Sequence, residues 1–318
     1  MASATLPRSL LRLRAVAPSR ISGQPANGNI GRRSLAVTPC NIHGAEATSP
    51  SVWLRGGVQL ATLPVAVGSS TLTLLAPSSV DAIIDLYLSE GNDDRDPYWS
   101  RPWHSAVALA EELMERPELV RGKAVAEIGS GIGLAGIAAA MAGADRVVLL
   151  DREPMALQCA LLSAAACGVA VGGAPDDLGE FCPGSDPPRG HAAARPGAGR
   201  IEAALLDWFD PRAAASLGHF DTVIACDVLY DDASVGPVAA LLPQLLGSSG
   251  GDVMLADPPN RTRHNRERFV SAVRGSMGGV RMVEASRRTA ALDGLEAPVQ
   301  LLLFRQHSGG SHSTIGVE

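Results

Sequence analysis

The chain predicts an α/β domain in which helices cover both faces of a mostly parallel sheet, preceded by a small N-terminal β-hairpin. Three observations carry that prediction. From Pro102 onward, short apolar runs alternate with segments of helical period. The first run, 125–128, breaks into the alternating glycines Gly129, Gly131 and Gly133, and an alanine-rich helical stretch follows. The next run, 147–150, ends in an acid, Asp151. Strand, glycine turn, helix and strand make a β-α-β unit, whose crossover forces the two strands to run parallel.

Taken in order, residues 58–75 alternate apolar and small polar side chains around Gly68-Ser69-Ser70, which predicts the hairpin. Apolar residues at helical spacing predict a helix over 80–88, and 91–96 is a polar linker. A helix over 105–115 is stopped by Pro117. The first core strand is 124–128, and its helix runs to Ala142. The second strand is 146–150, and Pro154 opens a helix that reaches Cys167. Residues 171–200, rich in Gly, Pro, Ala and Asp, predict a disordered surface insertion. Further strands are expected at 201–205, 222–225 and 252–256, with apolar runs at 281–284 and 300–304. The domain itself is expected over 96–305, after a hairpin and linker at 46–95 and before a disordered tail at 306–318.

Composition narrows the function. The formal net charge of −6 understates the acidity of the body, because residues 1–45 hold arginines, no lysine and no acid. Without them the charge is about −12. An acidic body argues against nucleic acid as partner, and no apolar run approaches the length of a bilayer span. The five cysteines (40, 159, 167, 182 and 226) show no metal spacing, so no metal is expected and the chain reads as a reduced intracellular protein, a monomer. The Arg-, Ser- and Ala-rich start has the signature of an organelle transit peptide. Its Ser/Ala opening favours the chloroplast, with the mitochondrion as alternative.

In open sheets of this kind, ligands bind beyond the carboxyl ends of the strands. Glycines there let the backbone approach a ligand closely, and the following helix points its free amides at it. Asp151, at the end of the second strand, suits ribose hydroxyls. Gly131-Ile132-Gly133-Leu134-Ala135-Gly136 also reads as a dinucleotide fingerprint, which leaves a nicotinamide cofactor open. Glu127, two residues before the first glycine, decides between them. An acid under the loop attracts a cationic ligand and repels a diphosphate. The E-x-G-x-G-x-G arrangement resembles the first motif of S-adenosylmethionine (SAM) methyltransferases of the seven-strand class, which implies a Rossmann-like seven-strand sheet.

The remaining strand ends present Asp207-Trp208, Cys226-Asp227 and Asp257-Pro258-Pro259-Asn260. Trp208 can stack on a base or wall its pocket, and Asp207 can accept from an exocyclic amine. Asp227-Val228-Leu229-Tyr230 should face the reacting group, with residues 97–106 folding over it as a lid. The set Trp103-His104-Ser105-Ala106, Glu127 to Gly133, Leu206-Asp207-Trp208 and Asp227 to Tyr230 resembles the family 16 methyltransferases, over about Asp96 to Arg305. The resemblance implies transfer of a methyl group to a protein lysine. It implies SAM contacts from Trp103, Gly129, Ser130, Gly131, Asp151, Trp208 and Cys226, and places Asp227 and Tyr230 near the acceptor. His104 departs from the Pro or Asp common at that position. The Asp257-Pro258-Pro259-Asn260 run resembles a motif of amino-methyltransferases, but it follows the fifth strand instead of the fourth, so it is expected to be a rigid loop start.

A lysine ammonium must lose its proton before it can attack. A positive sulfonium about 4 Å away costs it roughly 4 kcal/mol at an effective dielectric near 20, about three pKa units. Asp227 then needs only to accept a hydrogen bond and aim the lone pair. A small-molecule N- or O-methyltransferase would share every cofactor residue, and a non-catalytic SAM-binding scaffold would share most of them.

Overall fold

Gly68-Ser69 makes the tight turn of the N-terminal hairpin. In the computed structural model, which describes residues 54–172, 197 and 199–306 except 93, 211, 213 and 249, this turn joins β1 (Leu60–Val67) to β2 (Ser70–Pro77). The strands pair antiparallel from Val67↔Ser70 to Leu60↔Pro77, as their alternation predicts. Gly68 takes φ 55°, which glycine adopts without a Cβ penalty. The inward side chains, among them Val65, Val67, Leu72 and Leu74, are buried. Helix α1 (Val80–Ser89) follows, N-capped by the Ser79 hydroxyl, which accepts from the Ala82 amide.

The main sheet has eight strands in the order β5-β6-β4-β3-β7-β8-β10-β9. Its centre is β3 (Ala124–Ile128), flanked by β4 (Arg146–Asp151) and β7 (Thr222–Cys226); β6 (Arg200–Leu205) and β8 (Gly251–Asp257) extend it. These strands run parallel, and β10 (Leu295–Gln306) joins antiparallel between β8 and β9 (Val280–Leu292). Strand order reverses at β3, with β4 on one side and β7 on the other, and this is where a ligand crevice forms.

Alternation along each strand divides the core between the faces. Val125, Val147, Leu149, Ile224 and Leu303 face α2 (His104–Glu115), α3 (Leu134–Met141) and α4 (Pro154–Ala166). Ala126, Ile128, Val148, Leu150, Val223 and Phe304 face α5 (Val235–Leu246) and α6 (Arg263–Ser276). The hairpin lies on the first of these layers, where the Leu75 amide donates to Ser163 Oγ of α4 at 2.8 Å.

Two expectations need correction. The sheet has an eighth strand, β5 (Ala170–Val171), which pairs with Arg200–Ile201 and so closes the neck of the expected 171–200 insertion. The Gly172 amide adds a bond to the Ile201 carbonyl at 2.6 Å. Two extended residues carry too little pattern to stand out from a Gly/Ala-rich stretch. The runs expected at 281–284 and 300–304 are the inner parts of a long hairpin, 13 residues in β9 and 12 in β10. Near its turn only Ala290 and Val299 are buried, so no continuous apolar run marked that part. Asp293 and Gly294, both at positive φ (52° and 74°), form the two-residue turn that the sequence signals as Asp-Gly. The transit segment 1–45, residues 173–196 of the insertion and 307–318 of the tail lie outside the described residues.

Helix α3 can lie this close to the sheet because Gly136 has no side chain. A Cβ there would come within 2.3 Å of Leu149 Cδ2 and 2.6 Å of Glu127 Oε2. Gly136→Ala is expected to destabilise the fold by about 1–3 kcal/mol through overpacking. Gly275→Ala in α6, where a Cβ meets nothing within 4 Å, should be neutral or stabilising by up to about 1 kcal/mol. Urea denaturation of both variants checks the contrast, and equal midpoints would contradict it.

Candidate functional site

The glycine loop between β3 and α3 is built around three left-handed residues, Gly129 (φ 65°), Gly131 (φ 51°) and Gly133 (φ 82°). The first two are also crowded by neighbours. A Cβ on Gly129 would sit 2.8 Å from Trp208 Cζ2, and one on Gly131 would sit 3.2 Å from the Trp99 carbonyl oxygen. The loop is therefore a tight cradle, walled by the Trp208 ring on one side and the backbone of Trp99 on the other. Ser130 Oγ is buried in it with no hydrogen-bond partner among the described residues, which leaves a polar group available to a ligand. Gly133 caps α3 without a side-chain bond, so the first amides of that helix are also unclaimed by a cap.

Two carboxylates lie under and beside the cradle. Glu127 is 1% exposed, and its Oε2 accepts from the Gly136 amide at 2.8 Å. Burial, reinforced by the charge of Asp151, pushes its carboxyl up to about 8, although the Gly136 bond opposes this. Asp151 Oδ2 accepts from the Gly131 amide at 2.8 Å and Oδ1 from the Glu153 amide at 3.0 Å. Burial raises it to about 6 against those two bonds. Neither acid is ion-paired among the described residues. Two desolvated carboxylates without a counter-ion favour a ligand that brings positive charge.

The acceptor side follows β7. Cys226, half-buried, has its thiol pushed upward by burial and then by the charges of Glu127 and Asp227. Asp227 takes φ 56°, a left-handed conformation that Asp tolerates better than most residues. Ser234 Oγ donates to the Val228 carbonyl and Asn265 Nδ2 to the Leu229 carbonyl, both at 2.9 Å, so the turn that carries Asp227 and Tyr230 is fixed. Tyr230 is 53% exposed, with its ring centroid 6.3 Å from that of Trp208. Asp207 is more peripheral. It is exposed, and its Oδ1 accepts from the Phe209 amide at 2.9 Å.

Trp103, expected to contact the cofactor, stands on the Asp227 side of the crevice. It stands at the N-cap of α2, 39% exposed and edge-on to Tyr98 at 6.1 Å. The Arg261 guanidinium lies over its ring, 5.7 Å from the centroid, and the same guanidinium pairs with Asp227 Oδ1. Trp103 thus borders the acceptor side, and Trp99 covers the glycine loop. Burial raises the Asp227 carboxyl, and Arg261 opposes that rise.

Sequence reasoning missed four residues here: Trp99, Tyr87, Glu153 and Arg261. Trp99 Nε1 donates to Tyr87 Oη at 2.9 Å, and Tyr87 Oη donates to Glu153 Oε2 at 2.9 Å. Glu153 in turn gives its amide to Asp151. A buried chain thereby ties α1 and the linker to the end of β4. The tyrosine in the predicted 80–88 helix and the second tryptophan of the lid were the available signals. As expected, the loop after β8 is rigid. Arg266 bonds Asp257 at 2.7 Å and the carbonyls of Pro258 (2.9 Å) and Pro259 (2.7 Å).

Fold and site together define an open-sheet nucleoside-type pocket with a carboxylate-rich floor. No family model matches the chain. A stretch of 61 residues is 46% identical to the human electron transfer flavoprotein beta subunit lysine methyltransferase, covering 19% of this chain and 23% of that protein. The protein N-lysine methyltransferase METTL21A of Danio rerio is 28% identical over 173 residues, 54% of this chain and 65% of that one. The chain thus matches under a quarter of the flavoprotein-directed relative's length. Among solved structures, the ribosomal protein L11 methylase of Lactobacillus delbrueckii subsp. bulgaricus is 18% identical, covering 68% of this chain and 88% of that one, with a TM-score of 0.42. A likeness at that level adds nothing to the functional argument.

The pH dependence of stability reads the buried acid directly. With its folded value near 8 against an ordinary 4.5, Glu127 holds one more proton in the folded chain than in the unfolded one across that window. Stability should therefore fall as pH rises from 4.5 to 8, by up to about 1.4 kcal/mol per pH unit from this group, and level off above 8. Glu127→Gln keeps an acceptor for Gly136 and should flatten the slope between pH 6.5 and 8. Urea midpoints measured across that range check it, and parallel slopes would contradict it.

Proposed function

We propose that the chain is a SAM-dependent methyltransferase of the family 16 kind that acts on lysine side chains of a protein. The observation that carries this reading is the unpaired, desolvated Glu127 and Asp151 at a glycine cradle, with Asp227 and Tyr230 opening beside it. The 46% identity to a lysine methyltransferase over 61 residues supports it.

The residues present fit the cofactor. Gly129, Ser130, Gly131 and Asp151 would hold it, with Trp208, Asp207 and Cys226 on the remaining walls and Glu127 compensating its positive charge from below. When bound, SAM supplies an electrophilic methyl group on a sulfonium. The work left to the chain is positioning. Asp227 is buried on a fixed turn, and its carboxylate can accept a hydrogen bond from an entering amine and orient its lone pair. The Trp103 ring, across the Arg261 guanidinium from that carboxylate, offers aromatic surface that favours a cation on approach, and Tyr230 stands beside Trp208. The acidic body suits a protein acceptor over nucleic acid, and the enzyme works as a monomer away from membranes. Residues 1–45 direct it to the chloroplast, with the mitochondrion as alternative; a fluorescent protein fused to that segment should enter plastids and not remain diffuse.

Calorimetry with SAM and tritiated-methyl transfer to purified electron transfer flavoprotein beta subunit and to organelle extract test the function. Binding, with label on a protein band that amino-acid analysis assigns to methyl-lysine, is expected. Absence of SAM heat, or label confined to small molecules, would reject the reading. Asp227→Ala should keep SAM affinity within about twofold while turnover falls on the order of 100-fold or more. Asp151→Asn should weaken SAM binding itself.

A further inference from the structure

The acceptor side already contains a cation. Arg261 pairs with Asp227 Oδ1 and lies over the Trp103 ring, so its guanidinium sits between a carboxylate and an aromatic face. Those are the groups that would receive a lysine ammonium. Asp227 is only 8% exposed at its side chain, whereas Arg261 is 49% exposed. The acid is fixed and the cation is free to swing. The backbone beneath Arg261 is fixed too, since Arg266 clamps Asp257 and the carbonyls of Pro258 and Pro259. Exposed side chains of this kind exchange rotamers within nanoseconds.

No other cation forms an ion pair with Asp227 among the described residues, although the His104 charge also acts on it. Arg266 is held by Asp257 and two carbonyls, and His104 Nε2 donates to the Leu295 carbonyl at 3.1 Å. When Arg261 swings out, Asp227 is left in a low-dielectric pocket, beside buried Asp257, without a counter-ion among the described residues. That state is costly unless another cation enters.

We propose that Arg261 is a resident surrogate for the acceptor, a specificity-determining residue whose guanidinium holds Asp227 and the Trp103 face until a lysine side chain displaces it. The inference rests on the lysine-methyltransferase reading and deepens it. A guanidinium suits a stand-in, because it pairs with a carboxylate and stacks on an aromatic ring while carrying no nucleophilic nitrogen at neutral pH. Entry is thereby restricted to a group that can replace both interactions. An uncharged or anionic side chain would leave Asp227 with Arg261 still in place.

The test uses the full-length protein and capped lysine (Nα-acetyl-lysine-N-methylamide) as probe, its binding followed by calorimetry with and without SAM. Arg261→Gln should tighten capped lysine by about three- to tenfold and leave SAM affinity unchanged, because a competing half-exposed ion pair has been removed. Arg261→Lys, which keeps a cation in place, should fall between Gln and wild type. Thermal melts establish that both variants are folded. Unchanged or weaker capped-lysine binding in Arg261→Gln overturns the proposal, as does failure of every form to bind the probe. Failure of every form to bind SAM rejects the methyltransferase reading instead, and the probe titrations without SAM still decide whether Arg261 competes for this site.

Discussion

The placement of Glu127 is the constraint on which the site depends. A carboxylate at the centre of a parallel sheet, under a helix and out of reach of water, is unfavourable unless its environment is arranged for it. Here the arrangement is spatial. Gly136 brings the α3 backbone down far enough for its amide to bond Glu127 Oε2, and a methyl group at that position would collide with the same oxygen. One amide does not neutralise a charge, so the carboxyl stays raised and the floor of the cradle is ready to ionise when a cation arrives. Asp151 repeats the logic one strand over, with two amides and the same absence of a counter-ion. The strand-order reversal at β3 brings these two acids together.

The N-terminal region is part of that arrangement and not an appendage. Its hairpin lies on α4, while Tyr87 and Trp99 carry a hydrogen-bond chain to Glu153 and, through its amide, to Asp151. The Trp99 carbonyl then rests over Gly131. The segment that shields the pocket and the acid that lines it are mechanically one unit. Burial and the nearby Glu153 charge hold the Tyr87 hydroxyl well above its ordinary range, so it remains a donor throughout the physiological interval. Loosening α1 would therefore disturb Asp151 before it disturbed the sheet.

What the sequence made legible follows from how local the signal was. Glu127, Asp151, Asp207, Trp208 and Asp227 were readable because each ends a strand, and a parallel sheet gathers its strand ends at one edge whatever the loops do. Trp99 and Arg261 were not. Trp99 acts through Tyr87, on a different helix, and Arg261 reaches from the loop after β8 to the end of β7, which no periodicity encodes. The long β9–β10 hairpin escaped for the opposite reason. Only Ala290 and Val299 are buried near its turn, and ion pairs such as Arg288 with Glu112 at 2.7 Å and Arg116 with Glu284 at 2.8 Å tie β9 to the C-terminal end of α2, so no continuous apolar run marks its full length.

Sheet polarity also separates the site from the one lysine in the chain. Lys123 immediately precedes β3, at the amino edge, and pairs with Asp252 at 3.1 Å; Arg305 bonds the same carboxylate at 2.8 Å. Hydrogen bonds from Arg305 and Lys123 draw the Asp252 carboxyl below its ordinary value despite burial. The five residues of β3 lie between Lys123 and Gly129 and set them about 20 Å apart. On the proposed reading, a pocket that accepts a lysine ammonium must be kept clear of the chain's own ammonium group. Here that follows from topology: the parallel strands that collect the acids of the pocket at one edge hold Lys123 at the other, already paired with a carboxylate.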